Sequence, residues 1–375
     1  MIRVIMNQFS RILIVLSPLP CFLSIPCWGH GGSVGTSAGG LGQLAIIVVA
    51  AITLFSLFLV FAHQKKGWSI LITGGGGYIG SALIPKLLKN KNQVTVLDPF
   101  LNSGKALEKV EGYVSLKKVK GDLANIKTLE RALDGCDAII HLAHNTDMQD
   151  GIYHSNNNSQ NNAKTFHDLV KIAKKAGVKR FINASSFEVY GNNIENEATE
   201  EHQPNPLTSF AKYKLLCENI LQKERAPGFV TCTVRSGVTY GRAPYTRLDL
   251  IVNAMVYSTV ENRHITINNK AQNYPIIHIN DITDLYLIIL NQADTQIDGK
   301  TFNAVGQNLT AIEIGNIVND AVDHEIRYDI KSHDNASTVR MSSYKARKGL
   351  GFKTRYTLQN SVHKMVAEFR NKLNS

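Results

Sequence analysis

Between Thr73 and Gly80 the chain reads Thr-Gly-Gly-Gly-Gly-Tyr-Ile-Gly, directly after the apolar run Trp68-Ser69-Ile70-Leu71-Ile72. An amphipathic helix pattern follows at once, with Ala82, Leu83, Ile84, Leu87 and Leu88 as its apolar positions. A strand, a tight turn and a helix N-terminus are therefore expected in succession. Unpaired backbone N–H groups and the positive end of the helix dipole then converge on one point, which suits a pyrophosphate. Gly74 allows the turn and Gly77 lets a phosphate approach the backbone. Gly80 lets the helix pack close to the strand, and Tyr78 and Ile79 complete the loop. The next apolar run, Gln93-Val94-Thr95-Val96-Leu97, ends in Asp98. That acid lies about 20 residues on, where a carboxylate accepts from both ribose hydroxyls of a dinucleotide. Asp98 repels a 2′-phosphate, so the expected cofactor is NAD and not NADP.

The elements that position these groups follow from alternating patterns. Residues 114–119 read as a strand leading to Gly121-Asp122-Leu123, and 125–133 as a helix. Asp137–Ala143, Arg180–Ser186 and Val230–Arg235 read as buried strands, with helices over 160–176 and 209–224 between them. Strands alternating with helices imply an α/β fold: a Rossmann-type doubly wound parallel sheet. Ligands then sit beyond the carboxyl ends of the strands, where Asp122, Ser185 and Ser186 fall.

The formal net charge is +11 over 375 residues. Arg3, Arg11, Lys65 and Lys66, with no acid in 1–66, account for +4 of it. The remaining +7 is spread thinly, without basic clusters interleaved with aromatics, which argues against a nucleic-acid partner. Leu41–Ala62 is an uncharged apolar stretch of 22 residues, long enough for a transmembrane helix. His63-Gln64-Lys65-Lys66 follow it, and the positive-inside rule places that end in the cytoplasm. The expectation is a single-pass protein of the cell (inner) membrane with a cytoplasmic C-terminal body. Residues 1–28 read as an apolar N-terminal segment or a cleaved signal peptide, and 29–40 as a Gly-rich linker. Five scattered cysteines make no disulfide framework and have no metal-ligand spacing, so no metal is expected.

Taken in order, the motifs resemble the extended short-chain dehydrogenase/reductase family, in its NAD-dependent nucleotide-sugar epimerase and dehydratase branch. Thr73–Gly80 matches TGxxGxxG, and His141-Leu142-Ala143 matches an HLA strand. Ser185–Gly191 (SSFEVYG) matches SSxxVYG, and Arg235–Gly241 (RSGVTYG) resembles RxxxxYG. Ile277–Asp281 (IHIND) resembles IHVxD, and Gly349–Phe352 resembles a C-terminal LGF element. The resemblance implies an NAD-binding Rossmann domain over 67–240. It implies a mainly substrate-binding lobe over 241–375, from which one strand and one helix return to the core. Asp122 and Leu123 are then adenine contacts, Leu142 and Ala143 line the cofactor site, and Asn162 on the central helix faces substrate. A homodimer through the helices at 160–176 and 209–224 is a further family expectation.

The family's chemistry is hydride transfer from a sugar carbon to NAD. A Ser or Thr orients the hydroxyl, a Tyr acts as base, and a Lys four residues later lowers the tyrosine pKa. Spacing i, i+4 puts Tyr and Lys on one helix face. Pro206–Glu218 aligns with PxxxYxxSKxxxE: Lys214 and Glu218 match, and Ser186 matches the polar catalytic residue. The tyrosine position holds Phe210, which has no ionisable proton. Tyr213 is the alternative tyrosine, but it adjoins Lys214, about 100° round the helix. Tyr274 stands where several sugar-nucleotide enzymes carry a phosphate-clamping Arg, which leaves Arg242 and Arg247 as candidates for an anionic substrate. Two readings follow: an enzyme acting on a nucleotide-linked or lipid-linked sugar, and an NAD-binding pseudoenzyme or regulatory protein.

Overall fold

The apolar runs pair as seven parallel strands: β1 (Ser69–Thr73), β2 (Gln93–Asp98), β3 (Leu116–Lys120), β4 (Ala138–His141), β5 (Arg180–Ser186), β6 (Val230–Ser236) and β10 (Lys300–Ala304), in the order β10-β6-β5-β4-β1-β2-β3. The computed structural model describes residues 53, 67–101, 104–144, 148–149, 152–153, 159–192, 196–267, 269–331 and 338–373. The chain divides into two compact units, Met1–Lys65 and Lys66–Ser375. The apolar segment 1–28, the linker 29–40 and, apart from Thr53, the stretch 41–62 lie outside the described residues. Among the described residues no helix is long and apolar enough to cross a membrane.

Side chains alternate faces along each strand. Ile70 and Ile72 therefore pack with Leu83, Ile84 and Leu87 of α1 (Tyr78–Lys89), and Leu71 packs on the opposite face with Phe166 and Leu169 of α3 (Ser159–Lys175). Helix α2 (Ile126–Leu133) and helix α4 (Ser209–Lys223) share the α3 face. Both faces are thus covered, as parallel sheets require. Each fully buried Leu or Ile contributes about 1.5–3 kcal/mol. Strand β3 starts two residues later than the expected strand at 114–119. The backbone bonds Tyr113 N–Val110 O and Leu116 N–Tyr113 O hold that stretch in turns first.

The C-terminal part builds a second core. Strand β9 (Asn273–His278) pairs in parallel with β7 (Val238–Tyr240) and antiparallel with β11 (Gln307–Thr310). A parallel pair, β8 (His264–Ile267) and β12 (Arg327–Ile330), lies apart from it. Helices α5 (Ile251–Asn262), α7 (Ala311–Asn319) and α8 (Leu358–Leu373) close this core around Val256, Ile265, Ile276 and Ile314. Helix α6 (Ile279–Asn291) instead joins the core of the main sheet, and Lys86 of α1 reaches it through Asn280 O, Thr283 Oγ1 and Asp284 Oδ1.

Helix α4 is fixed to the sheet by charge. Arg235 on β6 donates to Glu218 on α4 from Nε (3.0 Å) and Nη2 (2.7 Å), with side chains only 7% and 9% exposed. Ser185 Oγ donates to the same carboxylate. Removing one member of a buried pair leaves an uncompensated charge. Glu218→Ala is expected to lower unfolding free energy by about 3–5 kcal/mol in urea titration. Glu218→Leu combined with Arg235→Met should recover most of that loss.

Candidate active site

The cofactor loop is shaped by space as much as by sequence. Gly74 has φ +73°, and a Cβ there would lie 2.7 Å from the Ala143 backbone. A Cβ on Gly80 would lie 2.6 Å from Gly75 Cα. Helix α1 therefore approaches β1 and the end of β4 more closely than any side chain permits. Gly77 is its N-cap and lacks a side-chain capping bond, which leaves the first-turn N–H groups without a capping side chain.

Asp98 ends β2 beside this loop. Its Oδ2 accepts from Gly76 N (3.0 Å) and its Oδ1 from Phe100 N (2.6 Å). Phe100, at φ +53°, is a rare non-glycine residue in the left-handed region. Asp122 is exposed, and its Oδ1 accepts from Ala124 N (2.9 Å) in a turn, while Leu123 packs on the α2–α3 core. Leu142 N donates to Thr73 O (3.0 Å), and Leu142 and Ala143 are half-buried next to Gly74. His141, one residue earlier, is buried with its Nδ1 2.8 Å from Thr73 Oγ1. Burial, then the Lys214 charge, lowers its pKa to about 3, so it is neutral. A glycine cradle rimmed by N–H groups and backed by a carboxylate fits a dinucleotide.

The Tyr78 hydroxyl is held within the fold. Its hydroxyl donates to Gly241 O and accepts from Asn253 Nδ2 (3.1 Å). Ile79 is half-buried and packs on the core under α1.

Phe210, Lys214 and Glu218 follow one another every fourth residue on α4, along one face. Thr208 caps the helix by accepting from Ala211 N. Lys214 is buried and its Nζ donates to Ala184 O (2.8 Å) at the carboxyl end of β5. Burial pulls its pKa down, while Cys217 and Glu218 act in the opposite sense. The same Nζ lies 5.7 Å from the centre of the Phe210 ring. Ser186, two residues beyond Ala184, accepts from Glu188 N (3.2 Å). Tyr213 is buried in the core with Cys217, and burial pushes its phenol well above the ordinary range. It is thereby unsuited to proton transfer.

Two residues enter the site that the motifs did not single out. His144 packs edge-on against Phe210 (4.7 Å between centroids) and stacks on Tyr213 (5.6 Å). Burial, then Lys214, drives its pKa to about 2, so its imidazole is neutral. Glu188 accepts from Thr208 Oγ1 (3.2 Å), and burial raises its pKa. Glu188 lies in the wall of a cavity of about 590 Å³ between the segment after β5, β7, α5 and β9. Thr208, Asp249, Gln272, Asn273 and Tyr274 share that wall.

The two arginines expected to meet an anionic substrate each have a neighbour within the chain. Arg247 donates from Nε (3.0 Å) and Nη2 to Asp249, its neighbour two residues on, and Arg242 sits over the Phe369 ring at 4.9 Å. Asn162 is half-buried on α3 and is absent from the cavity wall.

A family model described as the NAD dependent epimerase/dehydratase family matches residues 70–304. The chain belongs to that family. UDP-glucose 4-epimerase 3 of Oryza sativa subsp. japonica is 26% identical over 340 residues, covering 80% of this chain and 88% of the relative. UDP-glucuronic acid decarboxylase 1 of Arabidopsis thaliana is 25% identical, covering 82% and 71%. The fold is also that of dTDP-glucose 4,6-dehydratase from Streptomyces venezuelae, solved with NAD bound (TM-score 0.73, 23% identity, 82% and 98% covered). It is likewise that of UDP-glucuronic acid 4-epimerase from Bacillus cereus, in complex with UDP-glucuronic acid and NAD (TM-score 0.70, 21% identity, 81% and 99% covered). The glycine cradle and Asp98 are the part of this epimerase/dehydratase fold whose geometry fits a dinucleotide. A hydrogen bond to a charged group contributes about 1.5–3 kcal/mol. Asp98→Ala should therefore weaken NAD binding by about tenfold to a hundredfold, read by quenching of intrinsic fluorescence, while Asp122→Ala has a smaller effect.

Proposed function

We propose that this chain is a membrane-anchored NAD-dependent enzyme of the epimerase or dehydratase type, acting on a sugar carried by a nucleotide or a lipid. The observation that supports it most is Lys214: a buried ammonium held on Ala184 O, beside Ser186, at the carboxyl end of the sheet that carries the glycine cradle. Bound NAD would supply hydride acceptance and return. Lys214 would hold the nicotinamide ribose, and Ser186 would orient the reacting sugar hydroxyl. Phe210 takes the usual place of tyrosine and moves no proton. We assign the proton to Glu188: its carboxylate receives it from the substrate hydroxyl as the carbon gives up hydride. Burial brings the Glu188 pKa closer to neutrality, which makes it a stronger base than an ordinary carboxylate. Residues 41–62 anchor the chain in the cell (inner) membrane with the body on the cytoplasmic side, and two copies pair through α3 and α4.

A binding-only reading is favoured by one observation: Phe210 is packed against His144 and beneath Lys214, where a base would be needed. Wild-type turnover on the order of 1–10³ s⁻¹ excludes that reading.

Three outcomes are expected. Phe210→Tyr raises kcat, by up to about 10²-fold if a tyrosine base is recovered. The Glu188 pKa is raised, so its basic form is lost as pH falls through that raised value. The acidic limb of kcat/KM should follow, and Glu188→Gln should abolish the limb along with most activity. Finally, the full chain should resist alkaline carbonate extraction from membranes, and a variant lacking 41–62 should be released.

A further inference from the structure

A parallel sheet has two unlike ends. The carboxyl ends of the strands hold the cleft, and the amino ends, with the carboxyl ends of the connecting helices, form the opposite face. The body begins on that opposite face. Trp68 directly precedes β1, and the Arg180 guanidinium at the start of β5 lies 4.8 Å from the centre of its ring. Arg180 in turn donates to Leu290 O (2.6 Å) and Gln292 O (3.0 Å) at the end of α6.

The face is basic from edge to edge. Lys300 opens β10, Lys223 and Lys175 end α4 and α3, Lys89 ends α1, Lys91 follows it, and Lys117 lies at the start of β3. All six are exposed, and none forms an ion pair with a described residue. Six strand gaps of about 4.8 Å make this row about 29 Å wide. Asp137, Glu224, Asp294 and Asp298, on the same face, are each held by a basic partner: Lys179 (3.0 Å), Lys174 (3.3 Å), Arg180 and Arg225 (2.7 Å). Glu111, in the turn before β3, is held by Lys118. Glu130 and Asp134 at the end of α2, with Arg131 between them, take back one charge.

Helix carboxyl ends favour lysine through their dipoles, which accounts for Lys89, Lys175 and Lys223. The dipole does not account for the apolar pair on the same face, Tyr113 (40% exposed) and Val114 (104% exposed), in the turn before β3. Lysines around an exposed aromatic and an exposed aliphatic side chain match an anionic bilayer surface. Ala62, which ends the apolar stretch, is five residues from Gly67, a reach of at most about 18 Å in any conformation.

Resting on the membrane-anchored reading above, we propose that the amino-end face of the sheet docks on anionic lipid of the bilayer that anchors the chain, with Tyr113 and Val114 entering the headgroup layer. The cleft then opens about 20 Å further out, because β1 and β5, of five and seven residues, rise about 3.3 Å per residue. A sugar fixed to a lipid phosphate stays in a headgroup layer about 5–8 Å deep. Of the two carriers, the nucleotide therefore fits the docked body.

The test is acetylation footprinting of the full chain, read by mass spectrometry. It compares nanodiscs of phosphatidylcholine with phosphatidylglycerol, nanodiscs of phosphatidylcholine alone, and detergent. In the anionic nanodiscs the six lysines should react about fivefold more slowly than in detergent, the shift that one lysine at such a surface gives. Lys120 and Lys212, exposed at the carboxyl end of the sheet, should keep their rates. Phosphatidylcholine alone should give little protection. Val114→Asp combined with Lys89→Glu and Lys175→Glu should abolish protection at Lys117, Lys223 and Lys300 and leave the circular dichroism unchanged. Equal rates in anionic nanodiscs and detergent overturn the docking, and so does equal protection of Lys120 and Lys212 or equal protection on phosphatidylcholine alone. Alkaline carbonate extraction of the same chain from vesicles separates the two readings. Release overturns the anchor and the docking with it, whereas retention without protection overturns the docking alone.

Discussion

The site depends on one buried ionic contact, Glu218 with Arg235. Two charges withdrawn from water are tolerated only when their hydrogen bonds are satisfied, and Ser185 adds a third donor to Glu218. This contact fixes both the rotation and the height of α4 against β5 and β6. Lys214, one turn earlier on the same face, is thereby delivered to Ala184 O, and Phe210, one turn earlier again, to the mouth of the cleft. Arg235 also lies over the Tyr190 ring, whose hydroxyl donates to Asn303 on β10. The SSFEVYG and RSGVTYG segments thus lock neighbouring strands together, and Phe187, Glu188, Gly191 and Val238 of them reach the cavity wall.

Much of this was legible in the sequence because short-range rules governed it. A strand, a glycine turn and an amphipathic helix within 20 residues leave few alternatives, and Asp98 sits beside the loop as its spacing implied. The contacts that went unread have physical causes. Arg247 pairs with an acid two residues away, a contact set by the turn before α5. Tyr78, within the glycine motif, spends its hydroxyl on a carbonyl 163 residues distant, a bond that no local pattern announces. His144 and Glu188 were passed over because the residues they contact, Phe210 and Thr208, lie on a different element far along the chain. They meet the site only when the ends of β4 and β5 are brought side by side by the sheet.

The two ends of the cleft differ in how they recognise ligands. At the cofactor end, backbone N–H groups and one carboxylate do the work, and geometry excludes side chains. At the other end, recognition belongs to side chains on α5, β9 and the segment after β5, and there the chain departs most from the pattern its motifs suggest. Backbone sites tolerate little variation because a single Cβ destroys them. Side-chain sites can be rewritten one residue at a time while the scaffold persists.

The Tyr78 hydroxyl joins those two ends. It sits in the first turn of α1, where a dinucleotide phosphate would settle, and it grips Gly241 at the start of the segment leading into α5. Asn253 of α5 completes the junction by bonding both Tyr78 and Gly241 N. Three hydrogen bonds therefore tie the first turn of α1 to the segment leading into α5, so that displacing one strains the other. Thermodynamic linkage makes such a joint work in both directions by the same factor.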